Sequence, residues 1–265
     1  MIRGLYTSGW SMLANSKKMD VISNNLANVN TTAYKKDTVV FESFPHVLTQ
    51  RLNDTRSRLN PTGVVGNMEL GSDIGEIFTY YNQGSITKTG GKLDMAIHNS
   101  PNQPAGSAAF FTVGVREANG NIREYYTRDG AFALNASKQL VTKDGYMVLG
   151  ENGAITLENE NFMVQDDGTI VQDGQIVDRL MITEFSNTTT LNKIGMNLVE
   201  RTAQTQEQPL TGKIAQGYLE QSNVNIVREM VDMITVTRSY EANQKILQAQ
   251  DGTLEKAVNE VGAVR

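Results

Sequence analysis

Met19-Asp20-Val21-Ile22-Ser23-Asn24-Asn25-Leu26-Ala27-Asn28-Val29-Asn30-Thr31-Thr32-Ala33-Tyr34-Lys35 reads as the last turns of a helix and the irregular segment that follows it. Met19 and Leu26 stand seven residues apart, and the same step backwards finds Met12 and Leu5. Ile2, Ile22 and Val29 add the three- and four-residue steps of a helical stripe. Asn28 and Asn30 with two threonines close the helix, because short polar side chains satisfy backbone groups that a helix end leaves open. Asn24, Asn25 and Asn28 put amides on one flank beside Leu26. They admit two readings: hydrogen bonds to a neighbouring backbone that fix register, or an ordinary polar face near a helix terminus.

The far end of the chain repeats the design. Met233, Tyr240, Leu247, Leu254 and Val261 are again spaced by seven, flanked by Met230, Ile234 and Val258, with Val227 in a secondary row. Asn223 or Asn225 can cap this helix at its start. A seam so narrow, on helices rich in Asn, Gln, Thr and Lys, suits packing against another helix better than burial in a globule. The spacing leaves open whether the two helices pair with each other or with copies in neighbouring molecules.

Between about Leu93 and Phe185 the apolar period changes to two. Asn119-Gly120, Asp129-Gly130, Asp144-Gly145, Asn152-Gly153, Asp167-Gly168 and Asp173-Gly174 punctuate the runs Phe110 to Val115, Glu124 to Tyr126, Tyr146 to Leu149, Ala154 to Leu157 and Arg179 to Phe185. Such pairs tolerate the positive φ angles of hairpin turns, so this stretch predicts a compact antiparallel β domain. Glu42 to Gly91 holds Pro45, Pro61 and several glycines, with Ile74 to Tyr81 as a candidate strand. It reads as an extended arm, and the polar stretch 200–222 returns alongside it. The expected architecture is α+β: a discontinuous inner helical, coiled-coil domain from residues 1–40 and 223–265, extended arms with short strands at 41–92 and 200–222, and a β-rich domain at 93–199.

Composition narrows the function. A chain of 265 residues with 39% hydrophobic residues and 23 glycines is long enough for a sizeable core and rich in turns. No run approaches the roughly 18 consecutive apolar residues of a membrane span. A net charge of −5 provides no basic field for nucleic acid or anionic membranes. Zero Cys removes disulfides, thiolate metal sites and cysteine nucleophiles, and only two histidines remain, His46 and His98. Neither has a partner at ligand spacing, and no Gly-x-Ser-x-Gly elbow occurs. Thr89-Gly90-Gly91-Lys92-Leu93 lacks the first glycine and the final hydroxyl of a phosphate loop, and Asp166-Asp167-Gly168 lacks the alternating carboxylates of a calcium loop. No catalytic, cofactor or metal site is expected. The first thirteen residues have no uninterrupted apolar core, so they do not form a secretory signal peptide.

The opening run closely resembles the amino-terminal signature of the bacterial flagellar rod and hook family, with Ser23 where Ala is common and Ala33-Tyr34 where Gly-Phe is common. Gln216-Gly217-Tyr218-Leu219-Glu220, Ser222-Asn223-Val224-Asn225, Glu229-Met230-Val231-Asp232-Met233-Ile234 and Arg238-Ser239-Tyr240-Glu241-Ala242-Asn243 resemble the matching carboxyl-terminal signature. Leu93 to Ile97, Phe110 to Val113, Tyr126-Thr127-Arg128-Asp129-Gly130 and Leu140 to Gly150 resemble the family's small β domain. One departure is the loop His98 to Ala109, longer than the short Gly-rich turn usual there.

The resemblance implies a structural, non-enzymatic subunit of the flagellar basal-body rod, without cofactors, polymerising through its terminal helices into the axial tube that transmits torque from motor to hook. It implies as partners further copies of the chain, other rod and hook proteins and the flagellar type III export apparatus, with no nucleic acid and no membrane insertion. The implied location is the extracytoplasmic rod, reached without a cleaved signal peptide. Proximal- and distal-rod types share this size, and the Gln216–Glu220 run with the long arm favours the distal. The alternatives are a hook or hook-junction protein and, further off, a secreted enzyme built on the β domain. The assembly interface expected is Leu5, Met12, Met19, Ile22, Asn24, Asn25, Leu26, Asn28 and Val29 on the first helix, and Met230, Met233, Ile234, Tyr240, Leu247, Leu254 and Val261 on the last.

Overall fold

The computed structural model describes residues 2–50, 64–69, 71–101, 103–104, 106–116, 122–159 and 161–262. Pro61 and the pair Asn119-Gly120 lie outside them. Helix α1 spans Ile2–Ala27, helix α2 spans Ile226–Lys256 and runs on into a π-helical turn at Ala257–Val261, and antiparallel strands fill most of the chain between. The class is therefore α+β. Among the described residues no helix is long and apolar enough to cross a membrane. The chain divides into two compact units, one of Met1–Asn24, Asp37–Phe78 and Val227–Arg265, the other of Asn25–Lys36 and Thr79–Ile226.

In the first unit the two helices touch. Asn15 Nδ2 donates to Ser239 Oγ at 3.1 Å, and a Cβ on Gly4 would fall on the Gln250 amide. Gly4 to Asn15 and Ser239 to Gln250 are each eleven residues, taken in opposite senses, so the helices run antiparallel. Residues of the arm within the same unit touch α1. Strand Asp37–Ser43 pairs with Ser72–Thr79, and Val47–Gln50 pairs with Val64–Met68. Trp10 meets Phe44 edge-on with ring centroids 5.0 Å apart, Lys17 pairs with Asp73 at 3.1 Å, and the Lys18 ammonium stands over the Phe41 ring at 5.5 Å.

The second unit is built on strand Ala108–Arg116. Side chains alternate across a strand, and here both faces are covered. Ala109, Phe111 and Val113 enter the larger core with Met95, Leu140, Val148, Leu157 and Ile170; Ala108 and Phe110 enter a smaller one with Tyr126, Phe185 and Val199. Burial on both sides explains why Ala108-Ala109-Phe110-Phe111 is a continuous apolar run rather than an alternating one. The strand pairs with Ile122–Thr127 along one edge and with Ile182–Phe185 and Met147–Gly150 along the other.

The run Arg179 to Phe185, expected as one strand, is two. Gln175–Arg179 belongs to a three-stranded sheet with Phe162–Val164 and Thr169–Gln172, and Ile182–Phe185 joins the large sheet. Leu180 N still donates to Gly168 O, whereas Met181 N donates to Leu149 O, so the backbone changes partners at that peptide. The Asp-Gly pairs also divide. Asp173 and Gly174 have φ of 51° and 80° in the two-residue turn between Thr169–Gln172 and Gln175–Arg179, as a type I′ hairpin requires. Gly130 is not left-handed; it is glycine because any Cβ would overlap the Met95 carbonyl, whose own N–H donates to Gly130 O at 3.0 Å.

Candidate functional site

The two chain ends leave the second unit side by side. After α1 the backbone turns through Asn28 to Lys36, and the segment Glu220 to Asn225 leads into α2. Ala33 N donates to Glu220 O at 2.8 Å, and Lys36 N donates to Asn223 Oδ1 at 2.8 Å. The Asn223 amide donates to Tyr80 O at 2.8 Å and Asn82 O at 3.1 Å. Asn223 is therefore a staple between segments and not the cap of α2, which leaves Asn225 immediately before Ile226. Asn25 Oδ1 accepts from the Tyr34 hydroxyl at 3.3 Å and Asn28 Oδ1 from Thr31 Oγ1 at 3.1 Å, folding the turn back on the helix end. Asn24, next to them, is exposed.

Beneath this junction lie three buried charges. Lys35, Arg128 and Glu220 are 5%, 4% and 2% exposed. Glu220 Oε1 accepts from Lys35 Nζ at 2.5 Å and from Gly84 N at 2.8 Å, while Oε2 accepts from Arg128 Nε at 2.6 Å. Two cations to one anion leave an excess positive charge, and oxygen dipoles take it up. Lys35 Nζ donates to Asn82 O, and Arg128 donates to Ala109 O, Ile97 O and Asn99 Oδ1. A buried pair whose remaining donors are satisfied in this way holds its geometry, because opening any contact strands a charge in the interior.

Burial pushes the Lys35 ammonium down to about 8, against the pull of Glu220 and with a further push from Arg128. Burial alone would raise the Glu220 carboxyl; the charges of Arg128 and Lys35 outweigh it and hold that carboxyl below its ordinary value. Between about 8 and the ordinary lysine value of 10.5 the folded chain binds fewer protons at Lys35 than the unfolded chain, so this group's contribution to stability rises with pH across that window. Lys35→Met removes the rise. Urea midpoints of wild type and variant at pH 8 and 10 check this: wild type gains relative to the variant, and parallel curves contradict it.

Ala33 is the one position of the turn with a left-handed backbone, φ 56°, where the resembled signature commonly has glycine. Its Cβ costs roughly 1–2 kcal/mol there, held by burial and by the Ala33 N to Glu220 O bond. Ala33→Gly is expected to raise stability by about 1 kcal/mol, read as a higher urea midpoint with unchanged slope.

The loop from His98 to Ala109 is tied down from two sides. Asn99 binds Arg128, as above, and its N–H donates to Gln83 Oε1 at 3.1 Å. Gln103 Nε2 donates at 2.8 Å to Glu184, a fully buried carboxylate that also accepts from Gln208 Nε2 at 2.8 Å and Thr211 N at 2.7 Å. The other histidine, His46, pairs with Glu69 at 3.4 Å. Among the described residues no group of three His, Asp or Glu is placed to hold a metal ion.

The expected interface residues fall into three sets. Ile22, Asn25 and Asn28 are buried; Leu5, Met12, Met19, Leu26, Val29, Met233, Tyr240, Leu247 and Leu254 are half-buried; Asn24, Met230 and Ile234 are exposed. Val261 lies in the π-helical turn. Leu247 stands eight residues from Ser239 and three from Gln250, on the face of α2 that meets α1. Sequence reasoning missed Lys35, Arg128 and Glu220 as a group, since 92 or more residues separate Glu220 from each partner.

The chain matches three family models: flagella basal body rod protein over residues 5–35, the flagellar hook protein FlgE/F/G D1 domain over 106–177, and flagellar basal body rod FlgEFG protein C-terminal over 215–260. Each match contributes one member of the buried charge cluster. The flagellar basal-body rod protein FlgG of Buchnera aphidicola subsp. Acyrthosiphon pisum is 35% identical over 272 residues, 97% of this chain and 98% of that protein. The flagellar hook-basal body complex protein FlhO of Bacillus subtilis is 31% identical and the flagellar basal-body rod protein FlgF of Caulobacter vibrioides 32%, each over the full length of both chains. With helical ends, a β-rich middle and relatives matched end to end, the chain belongs to the flagellar basal-body rod family and is a structural subunit of the rod in the flagellar basal body.

Proposed function

We propose that this rod subunit polymerises with copies of itself through α1 and α2, which form the inner, coiled-coil wall of the axial tube, and so passes torque from motor to hook. One observation carries the reading. Val227, Met230, Val231 and Ile234 stand at i, i+3, i+4 and i+7 on α2 and are 71%, 48%, 56% and 54% exposed. Four apolar side chains on one helix face, all open to solvent, are the mark of a surface that another helix covers. Tyr6 and Leu13 are exposed on α1 in the same way.

The physics favours a polymer over a closed dimer. A helix of about thirty residues is marginal on its own, and each seam residue gains roughly 1.5–3 kcal/mol when a neighbour buries it. Contacts between different faces of identical subunits, repeated without closing, build a helical filament. Residues 1–40 carry five basic and two acidic groups, a net +3, and residues 223–265 carry five basic and six acidic, a net −1. Exposed pairs contribute only about 0–1 kcal/mol each, so the apolar faces dominate.

On this reading the chain reaches the rod through the flagellar export apparatus, neighbours other rod and hook proteins, and performs no catalysis. The distal type is favoured by the Gln216–Glu220 run and the long arm. Immunogold labelling of purified hook-basal bodies with serum against this chain tests the assignment. Label on the rod supports it; label confined to the hook or its junctions supports the hook reading instead.

A further inference from the structure

We propose that the Lys35–Glu220–Arg128 cluster is a latch already closed in the isolated subunit, and that it sets where assembly-dependent ordering stops. Residues 31–36 and 220–224 fold with the β domain, while the helices beyond them take their order from neighbouring copies. The inference rests on the assembly reading of α1 and α2 given above.

Three observations support the boundary. All three charges, and the groups bonded to them, lie within the second unit, so the latch needs no second molecule to close. The backbone on either side is bonded across the junction, by Ala33 to Glu220 and by Asn223 to Lys36, Tyr80 and Asn82. The helical segments beyond present exposed apolar side chains and polar faces instead, the features of regions that open at low free energy. Opening the latch parts three buried ions; unwinding a half-covered helix uncovers little. The two ends therefore differ in local stability on opposite sides of a few residues.

The latch works as a positioning device. It holds the exit of α1 and the entry of α2 next to one another before assembly begins, so a joining subunit orders two helices from one fixed root rather than finding both ends separately. Lys193 supports the same turn: its ammonium stands over the Tyr34 ring at 4.7 Å and donates to Lys35 O at 3.4 Å.

Hydrogen exchange of the dilute full-length monomer, followed by mass spectrometry, tests this. Peptides covering 31–36 and 216–224 are expected to exchange as slowly as those from Ala108–Arg116, and at least 100-fold more slowly than peptides within 5–20 and 235–255. In Glu220→Gln, and in Lys35→Met as a milder variant, exchange at 31–36 rises at least tenfold more than exchange at Ala108–Arg116. Fast exchange at 31–36 in the wild type, or no change in either variant, overturns the latch alone. Equal loss of protection at 108–116 also overturns it, since the cluster is then part of one cooperative core. Strong protection of 5–20 and 235–255 in the monomer overturns the boundary together with the assembly reading.

Discussion

Glu220→Leu is expected to lower the stability of the β-rich unit by about 3–5 kcal/mol, more than the loss of either cation that it holds. The carboxylate pairs with two buried cations at 2.5 and 2.6 Å, and its removal leaves Lys35 and Arg128 facing each other in the buried interior. The energy lies in the stranded charges more than in the pair itself. A triple variant, Lys35→Met with Arg128→Met and Glu220→Leu, is therefore expected to recover at least half of the loss, because apolar replacements of a whole buried cluster are often neutral. Urea denaturation followed by far-ultraviolet circular dichroism measures both. A single-variant loss below about 1 kcal/mol, or a triple variant as unstable as the single, contradicts the account.

Ile234→Asp is expected to abolish incorporation into rods while leaving the monomer's melting within about 0.5 kcal/mol of wild type. The side chain is more than half exposed in the isolated chain, so nothing packed is lost there. In the proposed polymer the same position would face an apolar wall, and the substitution would both forfeit roughly 1.5–3 kcal/mol and bury a carboxylate. A total near 4 kcal/mol weakens each contact by about a thousandfold. Leu247→Asp is expected to give the same failure of assembly, again with monomer melting within about 0.5 kcal/mol of wild type, since α2 takes its order from neighbouring copies. Motility and immunoblots of isolated basal bodies read the first effect, thermal melting the second. Normal rods in Ile234→Asp contradict the proposed surface.

The helices were legible because seven-residue spacing survives in one dimension. Met12, Met19 and Leu26 announce α1 without reference to anything else, and Met233, Tyr240 and Leu247 do the same for α2. The β domain was legible from its turns, though for mixed reasons. Asp173-Gly174 is glycine for its φ, while Asp129-Gly130 is glycine because the Met95 carbonyl occupies the space of a side chain. Local signals of this kind cannot reveal a change of sheet, so Arg179 to Phe185 read as one strand.

The charge cluster was hidden for a different reason. Lys35, Arg128 and Glu220 each stand inside a recognisable motif, yet a lysine after a turn, an arginine before Asp-Gly and a glutamate ending a strand are ordinary surface residues in one dimension. Only the fold, by laying the exit of α1 against the entry of α2, turns them into one site. The same holds for Gln103 and Glu184, whose pairing explains how the long loop after His98 is held.

The most direct test of the proposed assembly is a cryo-microscopy map of the basal body resolved to side chains in the rod. Val227, Met230, Val231 and Ile234 are expected to pack within about 4 Å of apolar side chains from another copy of this chain. The same four residues facing open solvent in the finished rod would contradict it.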